Sequence, residues 1–142
     1  MQVREIMNRS VVSVSPEETV DLAARLLARH NIGALPVCTS DGKLQGVLTD
    51  RDIVLRCVAL NRDPAATKTG DIMSRGVLTA SPAEDAAAAG RVMAQGQVRR
   101  LPVVEGGKVV GFLSLGDLAV RAGTDMEAGK ALGKISANLR SL

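Results

Sequence analysis

The sequence predicts a mixed α/β (α+β) fold made of two copies of one strand–helix–strand–strand–helix unit. Three observations predict it. The chain matches itself at an offset of 66 residues. Each copy opens its first helix with Ser-Pro, and each carries a Leu-Pro-Val strand followed by a turn. Ile6-Met7 meets Ile72-Met73, Val11 meets Val77, Ser15-Pro16 meets Ser81-Pro82, Arg25 meets Arg91, and Leu35-Pro36-Val37 meets Leu101-Pro102-Val103. Once one residue is dropped in a turn, the offset becomes 65, and Lys43, Gly46, Leu48 and Asp52 meet Lys108, Gly111, Leu113 and Asp117.

Each element has a local cause. Val11 to Val14 alternates toward a short strand. In Ser15-Pro16-Glu17-Glu18 the serine is placed to cap a helix, proline suits the first helical position, and glutamate reaches back. Ser81-Pro82-Ala83-Glu84 repeats the device. The following helices present Val20, Ala23, Ala24 and Leu27, then Ala86, Ala89, Gly90 and Met93, on one face. Leu35 to Cys38 and Gly46 to Thr49 read as strands around Ser40-Asp41-Gly42-Lys43, and the second copy turns at Gly106-Gly107. Asp52 to Leu60 and Asp117 to Ala122 continue as helices. The domain reading is therefore repeat 1 over 1–60, a linker over 61–69, repeat 2 over 70–122, and a tail over 123–142. Leu132, Ile135, Leu139 and Leu142 fall at helical spacing in that tail.

Composition narrows the function. The 142 residues are 46% apolar and 23% charged, with net charge +3, one Phe and no Trp or Tyr. A core of Val, Leu, Ile, Met and Ala follows, and a flat ligand would be gripped by aliphatic side chains. Without aromatic platforms, single-stranded nucleic-acid binding is disfavoured. The weak, scattered positive charge suits an anionic small ligand better than DNA. Cys38 and Cys57 lie in apolar stretches and read as buried free thiols. No run reaches the length of a membrane span, and Met1 to Met7 lacks an apolar signal core, so the reading is cytoplasmic.

The closing motifs are Gly46-Val47-Leu48-Thr49-Asp50-Arg51-Asp52 and Gly111-Phe112-Leu113-Ser114-Leu115-Gly116-Asp117. With Ile-Met, Ser-Pro and Leu-Pro-Val before them, they resemble the CBS domain, and the pair resembles a Bateman module such as the stand-alone bacterial CBS-pair proteins. The resemblance covers about Val3 to Ala122. It implies a small three-stranded sheet in each copy, pseudo-two-fold packing, and two related clefts taking an adenosine nucleotide. The closing Asp would take the ribose hydroxyls, and the preceding Thr or Ser would lie near ribose and phosphate. Carried over, cleft one pairs Thr49 and Asp52 with Gly76, Val77, Val98, Arg99 and Arg100; Arg51 is a further candidate from the helix start, whose free amides also favour anions. Cleft two pairs Ser114 and Asp117 with Ser10, Val11, Ile32, Gly33 and Ala34.

The chemistry of these residues fits. A ribose diol suits a carboxylate acceptor, and a phosphate suits guanidinium donors and the free amides of a helix start. Gly33 and Ala34 stand where cleft one has Arg99 and Arg100, and Gly116 stands for Arg51. Cleft two should then bind a polyphosphate more weakly, either standing vacant or preferring a less charged ligand, and the sequence favours cleft one. AMP, ADP and ATP precede S-adenosylmethionine for the same reason. Thr49-x-x-Asp52 and Ser114-x-x-Asp117 also read as helix capping, a role compatible with ligand binding. Arg99-Arg100 also reads as a solvated strand edge, Met7 and Met73 as core, and His30 as a cation at a helix end.

No nucleophile, base and orienter set is visible, no metal-ligand pattern occurs, and Gly123 to Lys130 has the wrong spacing for a phosphate-binding loop, with Ala131 where Ser or Thr is required. The reading is thus a non-enzymatic regulatory module with no cofactor, an adenosine nucleotide as regulatory ligand, a homodimeric state, a possible regulated protein partner, and no membrane. It would signal by a change in repeat or dimer orientation. The alternative is a ligand-free dimerisation or protein-interaction module; S-adenosylmethionine or nucleic-acid binding comes third.

Overall fold

The computed structural model describes residues 1–121 and 129–135. After a 3-10 turn at Val3–Glu5, the elements are α1 (Val20–His30), β1 (Ala34–Cys38), β2 (Leu44–Thr49), α2 (Asp50–Ile53) continuing into a π-helical stretch (Val54–Val58), α3 (Thr69–Ile72), α4 (Ala86–Gly96), β3 (Arg100–Glu105), β4 (Lys108–Ser114) and α5 (Leu115–Arg121). Residues 129–135 are helical. The fold is mixed helix and strand, with two small antiparallel pairs, β1–β2 and β3–β4. Among the described residues no helix is long and apolar enough to cross a membrane.

The chain divides into two compact units that do not follow the sequence repeats. The first-copy unit holds Val12–Val77 with Gly107–Val109; the second-copy unit holds Met1–Val11, Leu78–Gly106 and the described residues from Val110 onward. Its lead-in, Ile72-Met73, joins the core of Val14, Val20, Leu27, Leu35, Leu48 and Cys57 in the first-copy unit. Ile6 and Met7 join Ala89, Met93, Leu101, Leu113 and Leu118 in the second-copy unit. Each Ile-Met thus buries apolar surface within the copy that it does not precede in sequence.

The early strand of each copy is shorter than the sequence predicts. Val14 makes a single parallel bridge, its N–H donating to Pro36 O at 3.1 Å and its carbonyl accepting from Cys38 N–H at 2.8 Å. Ala80 does the same with Pro102 and Val104. The next rung would need an N–H from Pro36 or Pro102, and proline has none. The Leu-Pro-Val motif that announces the strand therefore truncates its ladder, leaving a two-stranded sheet where three strands are expected.

Helix starts also move. The glutamates reach back as predicted, Glu18 to the N–H of Ser15 at 2.9 Å and Glu84 to that of Ser81 at 3.1 Å. They close turns, however, and the helices begin at Val20 and Ala86. The carbonyls of these turns are taken elsewhere: Pro16 O and Glu18 O accept from Gly70 and Thr69, and Pro82 O and Glu84 O accept from Arg4 and Val3. In the first copy the N–H groups that would complete an earlier turn are also taken, Val20 by Thr67 O, Asp21 by Pro64 O and Leu22 by Thr19 Oγ1.

On the helices, Val20, Ala23 and Leu27, and Ala86, Ala89, Gly90 and Met93, are buried, while Ala24 is half-buried. In β1–β2, Leu35 pairs with Leu48, and the register slips between Val37 and Cys38. The matching hairpin turns tightly at Gly106 and Gly107, both at positive φ (60° and 80°), as a two-residue turn requires. The extra residue of the first copy lies in its longer turn, four residues between Cys38 and Lys43 against three between Val104 and Lys108. Cys38 and Cys57 are buried free thiols, and burial pushes the Cys38 thiol up from its ordinary value. Along residues 129–135, Ala131 and Ile135 face inward while Leu132 is exposed; Leu139 and Leu142 lie outside the described residues.

Candidate functional site

Each closing motif folds into the same ring. Thr49 caps α2: its Oγ1 accepts from the N–H of Asp52, and Asp52 Oδ2 accepts from the N–H of Thr49, both at 3.0 Å. Ser114 and Asp117 repeat the ring at 3.1 and 2.8 Å. Ahead of each ring, the strand entry is tied to the helix start. Asp50 N–H donates to Gly33 O and Leu115 N–H to Arg99 O. The arrangement is capping, as the plain reading expects, and it also aims a carboxylate at the helix start.

The motif glycine lets the exchanged lead-in approach. Val47 and Ser74 trade backbone hydrogen bonds at 3.0 and 2.9 Å, and Asn8 and Phe112 trade theirs at 2.9 Å in both directions. A Cβ on Gly46 would lie 2.6 Å from Ser74 O, and one on Gly111 would lie 2.6 Å from Met7 Sδ. Only glycine admits these approaches without a shift. Positions 74 and 8 are thereby fixed beside the two rings.

The carboxylates then differ. Asp52 is only 8% exposed, and Ser74 Oγ lies within hydrogen-bonding distance of both its oxygens, at 3.2 and 3.3 Å. Arg56 Nε stands 3.9 Å from Asp52 Oδ1, while Arg56 Nη1 donates to the carbonyls of Ile72 and Met73 at 3.1 and 3.2 Å. In the second-copy unit Asn8 occupies the place of Ser74, and its Oδ1 accepts instead from the N–H of Ser10 at 2.9 Å. Asp117 is half-buried, and among the described residues its Oδ1 accepts no hydrogen bond.

Of the residues named for cleft one, Thr49, Arg51, Asp52, Gly76 and Val77 belong to the first-copy unit, and Val98, Arg99 and Arg100 to the second-copy unit. For cleft two, Ser10, Val11, Ser114 and Asp117 share the second-copy unit, and Ile32, Gly33 and Ala34 belong to the other. Arg51 and Arg99 are exposed, and Arg100 is half-buried at the start of β3. Gly76 adopts φ +65°, a left-handed conformation that suits glycine. Sequence reasoning missed Ser74, Arg56 and Asn8. Their signals were the positions just after each Ile-Met and one helical turn after Asp52. Among the described residues no group of three or more His, Cys, Asp or Glu side chains could hold a metal ion.

The CBS domain model matches residues 3–58 and 70–122. The CBS domain-containing protein YhcV of Bacillus subtilis is 43% identical over 134 residues, which cover 94% of each chain. Among solved structures, Hypoxic Response Protein I with two coordinated zinc ions has a TM-score of 0.80 at 36% identity, covering 85% of this chain and 98% of its own. The CBS domain pair of protein MJ0100, in complex with 5-methylthioadenosine and S-adenosyl-L-methionine, has a TM-score of 0.77 at 28% identity, covering 88% and 98%. A hexameric CBS-CP12 protein from bloom-forming cyanobacteria has a TM-score of 0.74 at 26% identity, covering 89% and 72%.

Proposed function

The chain belongs to the CBS domain family as a tandem pair, a regulatory module, and on that premise we propose that its ligand is an adenosine nucleotide. The observation that carries this reading is the duplicated ring, which holds a carboxylate at the start of a helix beside a Thr or Ser hydroxyl. A ribose diol is a pair of donors, and a carboxylate with an open oxygen is the acceptor that suits it. Arg51, Arg99 and Arg100 supply the phosphate donors in this reading, which ranks AMP, ADP and ATP ahead of S-adenosylmethionine. The adenosine-type ligands of the MJ0100 pair support the nucleoside part. The bound ligand regulates by its difference in affinity between two states of the module.

Thermal unfolding against AMP, ADP, ATP, 5-methylthioadenosine and S-adenosylmethionine tests the proposal. A ligand at about 100 times its Kd should add roughly 2.7 kcal/mol to stability. A rise in Tm with a nucleotide, lost in Asp52→Ala or Asp117→Ala, carries the reading and names the copy responsible. No rise with any of the five at millimolar concentration sinks it.

A second reading, a homodimerising module without ligand, rests on a separate observation. Val54, Leu55, Val58 and Leu60 are exposed by 55%, 47%, 58% and 64% along one stretch. Such a run of large apolar side chains favours burial against a partner. The same apolar run is compatible with a dimer of the nucleotide-binding module. Leu55→Lys with Val58→Lys should turn a dimer into a monomer by sedimentation; an unchanged mass removes this surface from the argument.

A further inference from the structure

Away from both rings, α4 and residues 129–135 of the second-copy unit border a groove of about 530 Å³. Arg91 and Gln95 face it from α4, one helical turn apart, and Lys130 and Lys134 face it from residues 129–135 at the same spacing. Buried Gly90 and exposed Gly133 line it without side chains, which leaves room between the two segments. Among the described residues no carboxylate lines the groove. The helical residues 129–135 are held by Ala131, wholly buried, and Ile135, which leaves both lysines outward and exposed.

The convergence of three cations on one groove, more than their lack of ion pairs, sets this charge pattern apart. Arg25, Lys43, Arg56, Arg62 and Lys68 each have a carboxylate within 4.0 Å. Among the described residues Arg91, Lys130 and Lys134 form no ion pair. Like charges one helical turn apart repel, and a third cation beside them adds to the cost. A bound anion removes that repulsion, and the four side chains here offer donors at neutral pH with three positive charges among them.

We propose that this groove is a second ligand site, taking a small anion with two or more phosphoryl groups. Its volume lies in the range of small-molecule sites, and three cations match the charge of a di- or triphosphate. With one Phe and no Trp or Tyr in the chain, no aromatic platform favours a nucleic-acid strand there.

The test is calorimetric titration of the full chain with inorganic tripolyphosphate at low salt. Binding should weaken as salt rises, and Lys130→Ala with Lys134→Ala should lower affinity at least about tenfold. Arg91→Ala should lower it as well, while adenosine binding stays unchanged in all these variants. Because the three side chains are exposed, circular dichroism of the variants should match that of the wild type. No binding at millimolar tripolyphosphate overturns the proposal. So does wild-type affinity in the double lysine variant, or binding that instead disappears in Arg99→Ala with Arg100→Ala. A short DNA duplex that binds more tightly than tripolyphosphate, and loses that binding in the double lysine variant, replaces the small anion with nucleic acid.

Discussion

Asp52 and Asp117 stand at equal places in the two copies, cap the same helix start, and meet different neighbours. Asp52 is engaged by Ser74 and approached by Arg56, which also holds the carbonyls of Ile72 and Met73. Its carboxylate therefore ties the lead-in to the helix start. Asp117 has Asn8 in the place of Ser74, and Asn8 turns to the backbone of Ser10. One copy spends its carboxylate on its own structure, while the other leaves an oxygen open. Duplication preserved the ring; Ser74 against Asn8 is one difference that alters how free the ring is to meet a ligand. The sequence favours the first copy by its arginines, and the hydrogen bonding favours the second by its open acceptor. Under the proposed function, a nucleotide choosing between them would weigh phosphate charge against ribose access.

The largest contrast should come from the motif glycines. In Gly46→Ala the new methyl would stand 2.6 Å from a backbone oxygen, Ser74 O, and the lead-in must move. In Gly111→Ala the nearest atom is the end of the flexible Met7 side chain, with Asn8 O at 3.1 Å. Urea unfolding should show a loss of about 2–3 kcal/mol for Gly46→Ala and about 1 kcal/mol for Gly111→Ala. Equal losses would mean that the two lead-ins are held alike, and the clasp at Asp52 would lose its special standing.

Ligand variants sharpen the same contrast. With uncharged adenosine, Asp117→Ala should weaken binding about tenfold or more, and Asp52→Ala less, because the first copy already spends its acceptor. With ATP the order should reverse if the arginines dominate. Calorimetry on both variants decides it; identical losses with both ligands would show that Ser74 does not compete. Ser74→Ala should then cost about 1 kcal/mol of stability through the lost hydrogen bond. It should also tighten adenosine binding at the freed Asp52. Asn8→Ala should cost less, since the N–H it accepts from belongs to exposed Ser10.

Much of the fold was legible because duplication doubled each signal. The Thr49 and Ser114 rings, the hairpins and the inward faces of α1 and α4 all follow from local spacing. What the sequence hid was the exchange of lead-ins. Nothing local says that Ile72-Met73 packs with Leu35 and Leu48, because the two cores have the same chemistry. The truncated early strand was also within reach: Pro36 lacks the N–H that another rung would use. Ser74 was missed because it reaches Asp52 only through the close approach that Gly46 permits, whereas Arg56, one helical turn after Asp52, was within reach of local spacing. The helix starts were misplaced for a related reason. At Ser15 and Ser81 the glutamate reaches back as in a cap, but its own N–H donates to the serine carbonyl and not to the hydroxyl, and the carbonyls around the turn serve the lead-ins.

That displacement yields the smallest expected effect. Thr19 is the true cap of α1, its Oγ1 accepting from the N–H of Leu22 at 3.2 Å. Asp85 holds the equal place before α4 and makes no side-chain capping bond. It lies instead 3.6 Å from the N-terminal ammonium of Met1, with both groups exposed. Thr19→Ala should therefore cost about 1 kcal/mol, within the usual range for a lost cap. Asp85→Ala should cost roughly half of that or less, since an exposed pair near a helix start contributes little. Thermal unfolding in moderate salt measures both. If Asp85→Ala costs as much as Thr19→Ala, the aspartate is capping α4 in solution, and the two helices start by one device after all. If Glu18→Ala, which removes the acceptor of the Ser15 N–H, costs more than Thr19→Ala, the turn rather than the cap holds the first-copy helix in place. The bond from Thr69 Oγ1 to Ser15 O and that from Gly70 N–H to Pro16 O would then be the contacts that matter most there.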